Sequence, residues 1–213
     1  LRRIDAKTHL NQDHAMKEII THSSHDQNPY PASRPIHGLH DFLARCNEWE
    51  IGVVRLAVQN SQSAYLRKTS LMINHLGDGW LYVLIVLSLL AFQGLHSWHV
   101  LLPAGLAAAM AHGIYPVIKN RLARLRPFDY DRSLNLSVRV LDKYSCPSGH
   151  TMTATAVAIP LAMGLPQFLP LIIAICLVIG WARISLGHHY PSDLVFGALL
   201  GSSTAFPISL LLI

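Results

Sequence analysis

The chain has 213 residues, of which 51% are apolar and only 14% charged, with a formal net charge of +5. An ordinary soluble domain carries about 25% charged residues, so this composition, with a mean hydropathy of +0.33, excludes one and describes a single-domain membrane protein. A basic excess can mark a nucleic-acid binder, but here the cations sit in an N-terminal stretch and one inter-helix loop. A phosphate ligand and an anionic bilayer surface explain them better, and no nucleic-acid partner is expected.

Residues 1–38 are polar, with His9, His14, His22, His25 and His37 scattered and Pro29, Pro31 and Pro35 clustered. They read as a mobile tail ahead of a membrane domain over 39–213. The tail lacks the apolar core of a signal peptide. Cys46, Cys146 and Cys176 share no metal-type spacing, so neither a disulfide framework nor a zinc site is expected.

From Leu39 to about Leu66, apolar residues recur at helical spacing, with Glu48, Glu50 and Arg55 among them. Each charge at a bilayer centre would cost about 2.5–3.5 kcal/mol, which favours an amphipathic interfacial helix over a sixth span. Five apolar segments follow: Trp80–Leu95, Trp98–Ile118, Thr151–Leu165, Leu169–Leu186 and Leu194–Ile213. Gly77-Asp78-Gly79 reads as a break before the first, and Pro166 and Pro170 bracket a tight reversal between the third and fourth. The expected fold is therefore an all-α polytopic transmembrane bundle. It has five clear spans plus an N-terminal amphipathic helix or sixth span.

Three polar motifs interrupt this apolar frame. Lys119 is followed after six residues by Arg126-Pro127, then comes Pro147-Ser148-Gly149-His150, and Arg183 is followed by His189 and Asp193. With one crossing per segment, all three land on the same membrane face. Lys119 and Arg126 are two helical turns apart, which places both cations on nearly one face for phosphate oxygens. Arg121 and Arg124 fall on other faces and read as lipid-headgroup anchors. Ser148-Gly149 reads as a helix N-terminus, where free N–H groups favour a phosphate, and His150 is placed to act as a general acid. Pro191 suits the first turn of a helix, with Asp193 just inside it. His188 reads as a bystander.

The order K-x6-R-P, P-S-G-H and R-x5-H-x3-D resembles the type 2 phosphatidic acid phosphatase family, with Ala182 standing where the family has a serine. The resemblance runs from about Gly77 to the C-terminus. It implies a metal-independent phosphatase, without cofactor, acting on a lipid phosphate monoester or diphosphate: phosphatidate, phosphatidylglycerophosphate or polyprenyl diphosphate. On this resemblance Lys119, Arg126, Ser148, Gly149 and Arg183 bind phosphate. His150 is the acid, and His189 is the nucleophile, oriented by Asp193, that forms a phosphohistidine. A non-catalytic lipid-phosphate binding or transport protein is the alternative, and intact His150, His189 and Asp193 argue against it. A vanadate-dependent haloperoxidase shares the motif logic, but those enzymes are soluble. The expected location is a bacterial cytoplasmic membrane. Its site is placed on the outer face, a placement that requires a sixth span near residues 49–66. Oligomeric state is not legible in the sequence.

Overall fold

The computed structural model describes residues 37–134 and 142–213. The expected tail lies outside them, except that His37 and Gly38 already belong to the first helix. Among the described residues every regular element is helical. The protein is an all-α integral membrane protein.

Helix α1, His37–Asn60, stops at Ser61–Ser63, and the Ser63 hydroxyl caps α2, Ala64–His75, by accepting from Leu66 N at 3.3 Å. The Gly-Asp-Gly stretch does not end that helix. The chain passes through a single π turn, Leu76–Trp80, into α3, Leu81–Gln93, with Gly79 at φ 143°. This corrects the expected break: Gly79 takes the backbone conformation that favours glycine, and the helix kinks and continues. After a turn at Gly94–Ser97 come α4, Trp98–Leu122, and a short α5, Pro127–Tyr130. Then follow α6, Gly149–Gly164, α7, Leu169–Ser185, and α8, Pro191–Leu212. Ser148 precedes α6, Pro166–Phe168 turns between α6 and α7, and Pro191 opens α8, as the sequence suggests.

Among the described residues, three helical stretches are long and apolar enough to cross a membrane: Ala64–Tyr130, Pro166–Ser185 and Pro191–Leu212. Their large apolar side chains, such as Leu87, Phe92, Leu177 and Leu199, point outward and stay exposed, as lipid-facing surfaces do. Inside, small residues set the spacing. Ala107 and Ala111 of α4, Ala156 of α6 and Ala205 of α8 pack around Met152. A methyl group at Gly197 would sit 2.5 Å from the Ser148 carbonyl, and one at Gly201 would collide with Thr155 and the Met152 carbonyl. Two glycines four apart let α8 lie directly against α6, the close approach typical of helix pairs in lipid.

Val100 at the start of α4 packs with Leu161 and Leu165 at the end of α6, and with Ile85 and Leu89 late in α3. These helices therefore share that end of the bundle. At the other end lie the end of α4, the start of α6, the end of α7 and the start of α8. The Ser148 N–H there donates to the Asp193 carbonyl at 3.0 Å. The three motifs meet on one face.

Helix α1 also belongs to that end. Leu43 packs near Ile118, Leu122, Cys146 and Phe196, while Ile51, Val54 and Val58 pack on Tyr190 and Ile184. Two of its charges are paired: Glu50 with Arg124 at 2.7 Å and Arg55 with Asp131 at 2.5 Å. The helix stops at Asn60, so the stretch 49–66 is not one continuous helix.

Candidate active site

Helix α4 ends earlier than the Lys119–Arg126 spacing implies. Ala123 takes a left-handed conformation at φ 47°, closing the helix after Leu122. Lys119 and Arg126 are therefore not on one helical face, yet they still converge, because a loop carboxylate gathers them. Lys119 Nζ lies 2.8 Å from Asp142 Oδ1, and Arg126 Nη2 contacts the same oxygen. Tyr115, one turn before Lys119, accepts from Lys119 Nζ at 2.6 Å and donates to Asp142 Oδ2 at 2.5 Å. Burial pushes the Asp142 carboxyl up, but Lys119 and Arg126 outweigh it, and its pKa falls to about 2. Arg126 Nη1 donates to the His188 carbonyl at 2.7 Å, tying this cluster to the loop that carries His189.

The helix-terminal motif is placed as expected, with one difference. Ser148 is fully buried and its N–H is committed to Asp193 O, so its hydroxyl, which accepts from Thr151 at 3.1 Å, is the group left for a ligand. Gly149 faces the Tyr115 ring, where an added Cβ would sit 2.9 Å away.

His189 is buried between two charged partners. Arg183 Nη2 lies 3.1 Å from His189 Nε2, and Asp193 Oδ2 lies 3.5 Å from Nδ1. A guanidinium can only donate, so Nε2 is the accepting nitrogen. A neutral ring therefore carries its hydrogen on Nδ1, toward Asp193. Burial, then the charges of Arg183, Arg126 and Lys119, hold the imidazole well below its usual pKa. Asp193 is fixed in turn: Oδ2 accepts from Tyr190 N at 2.9 Å and Oδ1 from Arg124 Nη1 at 2.7 Å.

Arg124 is thus not a headgroup anchor. The left-handed Ala123 redirects the chain and buries it. Its guanidinium bonds Asn47 at 2.8 Å, Glu50 at 2.7 Å and Ser192 at 2.6 Å, and stacks 4.1 Å over the Tyr190 ring. His188 is buried beside Phe128, and its main chain, not its ring, serves the site. On the opposite wall, His150 Nε2 lies 3.0 Å from Asp78 Oδ1 and 3.3 Å from the Asn74 carbonyl, while Arg183 Nη1 contacts Asn74 Oδ1. Three cations, two imidazoles and their carboxylates therefore share one end of the bundle.

Comparison with known proteins decides the family. A PAP2 superfamily profile matches residues 100–212. The chain belongs to the PAP2 superfamily. It is 34% identical over 134 residues to the decaprenylphosphoryl-5-phosphoribose phosphatase of Mycobacterium tuberculosis, covering 62% of this chain and 72% of that protein. It is 26% identical over 150 residues to the undecaprenyl-diphosphatase of Sulfolobus acidocaldarius, covering 70% and 72%. The fold resembles the crystal structure of the PAP2 type phosphatidylglycerolphosphate phosphatase from Bacillus subtilis. That likeness has a TM-score of 0.61 at 22% identity, over 82% of this chain and 94% of that one. As a PAP2 superfamily member among named phosphatases, the protein is an enzyme that hydrolyses phosphoester bonds.

Sequence reading missed Tyr115, Asp142, Arg124 and Asp78 as parts of the PAP2 site. Tyr115 had a signal, since it lies four residues before Lys119 on the same helical face. Asp142 and Asp78 are acidic residues close to motif helices, but nothing local says which cation or imidazole they meet.

Proposed function

We propose that this PAP2 phosphatase cleaves phosphate from a membrane lipid, with a polyprenyl-linked phosphate or diphosphate as the favoured substrate, through a phosphohistidine on His189. The observation that carries the mechanism is the His189 tautomer, with Nε2 accepting from Arg183 and Nδ1 facing Asp193. An imidazole in that state has its lone pair on the nitrogen turned toward the phosphate-binding cation. The substrate class rests on the polyprenyl names of the two curated relatives.

His189 Nε2 attacks phosphorus in line and the bond from phosphorus to the lipid oxygen breaks. His150 gives its proton to that oxygen. Water then attacks phosphorus, the phosphorus–nitrogen bond breaks, and His150 takes the proton from the water. Asp193 steadies the positive charge that grows on His189. Lys119, Arg126 and Arg183 offset the charge on the equatorial oxygens, with the Ser148 hydroxyl and the Gly149 backbone beside them.

His189→Ala should lower turnover by more than about a thousandfold while leaving substrate binding largely intact, because the cations remain. His150→Ala, given an aryl phosphate whose good leaving group does not need the acid and then quenched, should accumulate an acid-labile phosphoenzyme that His189→Ala cannot form. Substantial turnover in purified His189→Ala would remove the nucleophile assignment.

We further infer five crossings, with α1 resting on the site face. The outward site required residues 49–66 to span, whereas α1 stops at Asn60 and, among the described residues, its buried apolar side chains pack at the site end of the bundle. Arg55, Arg67, Lys68, Arg121, Arg132 and Lys143 all flank that face, whereas the opposite connections at 94–97 and 165–168 carry no Lys or Arg. That asymmetry favours a cytoplasmic site.

A further inference from the structure

We propose that Asp78 is a positioning residue for the general acid. Its carboxylate holds His150 by Nε2, which leaves Nδ1 to deliver the proton to the departing lipid oxygen. The inference rests on the reading of His150 as the acid.

Asp78 belongs to none of the three motifs and comes from the π turn that joins α2 to α3. Its Oδ1 lies 3.0 Å from His150 Nε2, and the Asn74 carbonyl lies 3.3 Å from the same nitrogen. Both neighbours of Nε2 can only accept, so that nitrogen keeps a hydrogen whether the ring is neutral or charged. The nitrogen that exchanges a proton is then Nδ1.

The local backbone is shaped for this contact. The π turn over Leu76–Trp80 alters the helical phase beside α6, and such turns occur often at functional sites. Gly77 gives the ring a bare backbone to lie on, since a Cβ there would sit 2.7 Å from His150 Cδ2 and 3.3 Å from Nε2. The preceding turn carries Asn74, whose side chain contacts Arg183. One short segment therefore touches both the acid and a phosphate-binding cation. The second Asp78 oxygen lies 3.8 Å from the exposed His75. Burial first, then the charge of Arg183, oppose charging of the His150 ring, and the Asp78 carboxylate acts against both without cancelling them.

The proton balance needs nothing more. The imidazolium passes its Nδ1 proton to the oxygen released from phosphorus and becomes a neutral ring with its hydrogen still on Nε2. In the second half-reaction Nδ1 takes a proton from the attacking water. Asp78 exchanges no proton in either half-reaction and stabilises the charged ring, as a carboxylate beside a catalytic histidine does.

The test compares a long-chain alkyl phosphate, a poor leaving group, with an aryl phosphate bearing the same alkyl tail, a good one. Asp78→Asn in the full chain should lower kcat/KM, which reports cleavage of the leaving group and not the later hydrolysis, by about tenfold to a hundredfold on the alkyl substrate and by less than about threefold on the aryl substrate. Asp78→Glu should recover much of the loss. Gly77→Ala, which displaces the ring with the carboxylate intact, should show the same discrimination. The Asp78→Asn, His150→Ala double variant should be no slower than His150→Ala alone. If His150→Ala discriminates between the substrates and neither Asp78→Asn nor Gly77→Ala does, the role of Asp78 is overturned and the acid survives. If His150→Ala lowers kcat/KM equally on both substrates, the acid assignment itself falls, and Asp78 with it.

Discussion

A nucleophilic imidazole must keep its lone pair, and the surroundings of His189 enforce this. Burial first, then the positive charges of Arg183, Arg126 and Lys119, make a charged ring unfavourable. The neutral form is therefore present above the depressed pKa, and the stability tied to it is lost only as pH falls from 6.5 toward that value. In a histidine-ring NMR titration of the solubilised protein, assigned with His189→Gln, the His189 signal should stay neutral as pH drops through 6.5. A midpoint near 6.5 would contradict the arrangement. Lys119, Arg126, Ser148, Gly149, His150, Arg183, His189 and Asp193 were legible in the sequence because each carries chemistry at a recognisable spacing. Arg124 was not. Its helical phase points it toward lipid, and only the left-handed turn at Ala123 brings it to Asp193.

The same contrast holds for the helices. Their apolar runs and their Pro and Ser boundaries marked α4, α6, α7 and α8, because burying backbone in lipid demands helix wherever side chains are apolar. The run from α2 to α3 was hidden, since Gly-Asp-Gly in water would end a helix and here makes a π turn beside α6. Pairing of α6 with α8 depends on Gly197 and Gly201. A Cβ at Gly201 would meet the α6 backbone, and overpacking of this kind costs about 1–3 kcal/mol. Gly201→Ala should lower the thermal unfolding midpoint and, by parting Ser148 from Asp193, the activity. Gly105→Ala, with nothing within 4 Å of the new methyl, should lower neither. Equal effects from the two changes would show that the contact is not limiting.

At the scale of the whole molecule, the arrangement of α1 bears on which side of the membrane performs the reaction. A cysteine at exposed Lys143, in a chain with Cys46, Cys146 and Cys176 replaced, should react with a membrane-impermeant maleimide only after cells are permeabilised. Labelling of intact cells would put the site outside. The placement of α1 was not legible because Glu50 and Arg55 look too costly for lipid and too apolar in company for water; the structure gives them Arg124 and Asp131 as partners. The family match begins at residue 100, and this has a consequence for what counts as the catalytic unit. A fragment cut at that boundary would retain every motif residue but lose Asn47 and Glu50, which secure Arg124 behind Asp193, and Asp78, which faces His150. It would have the whole signature of a phosphatase, with His189 and His150, the proposed nucleophile and acid, both missing their outer supports.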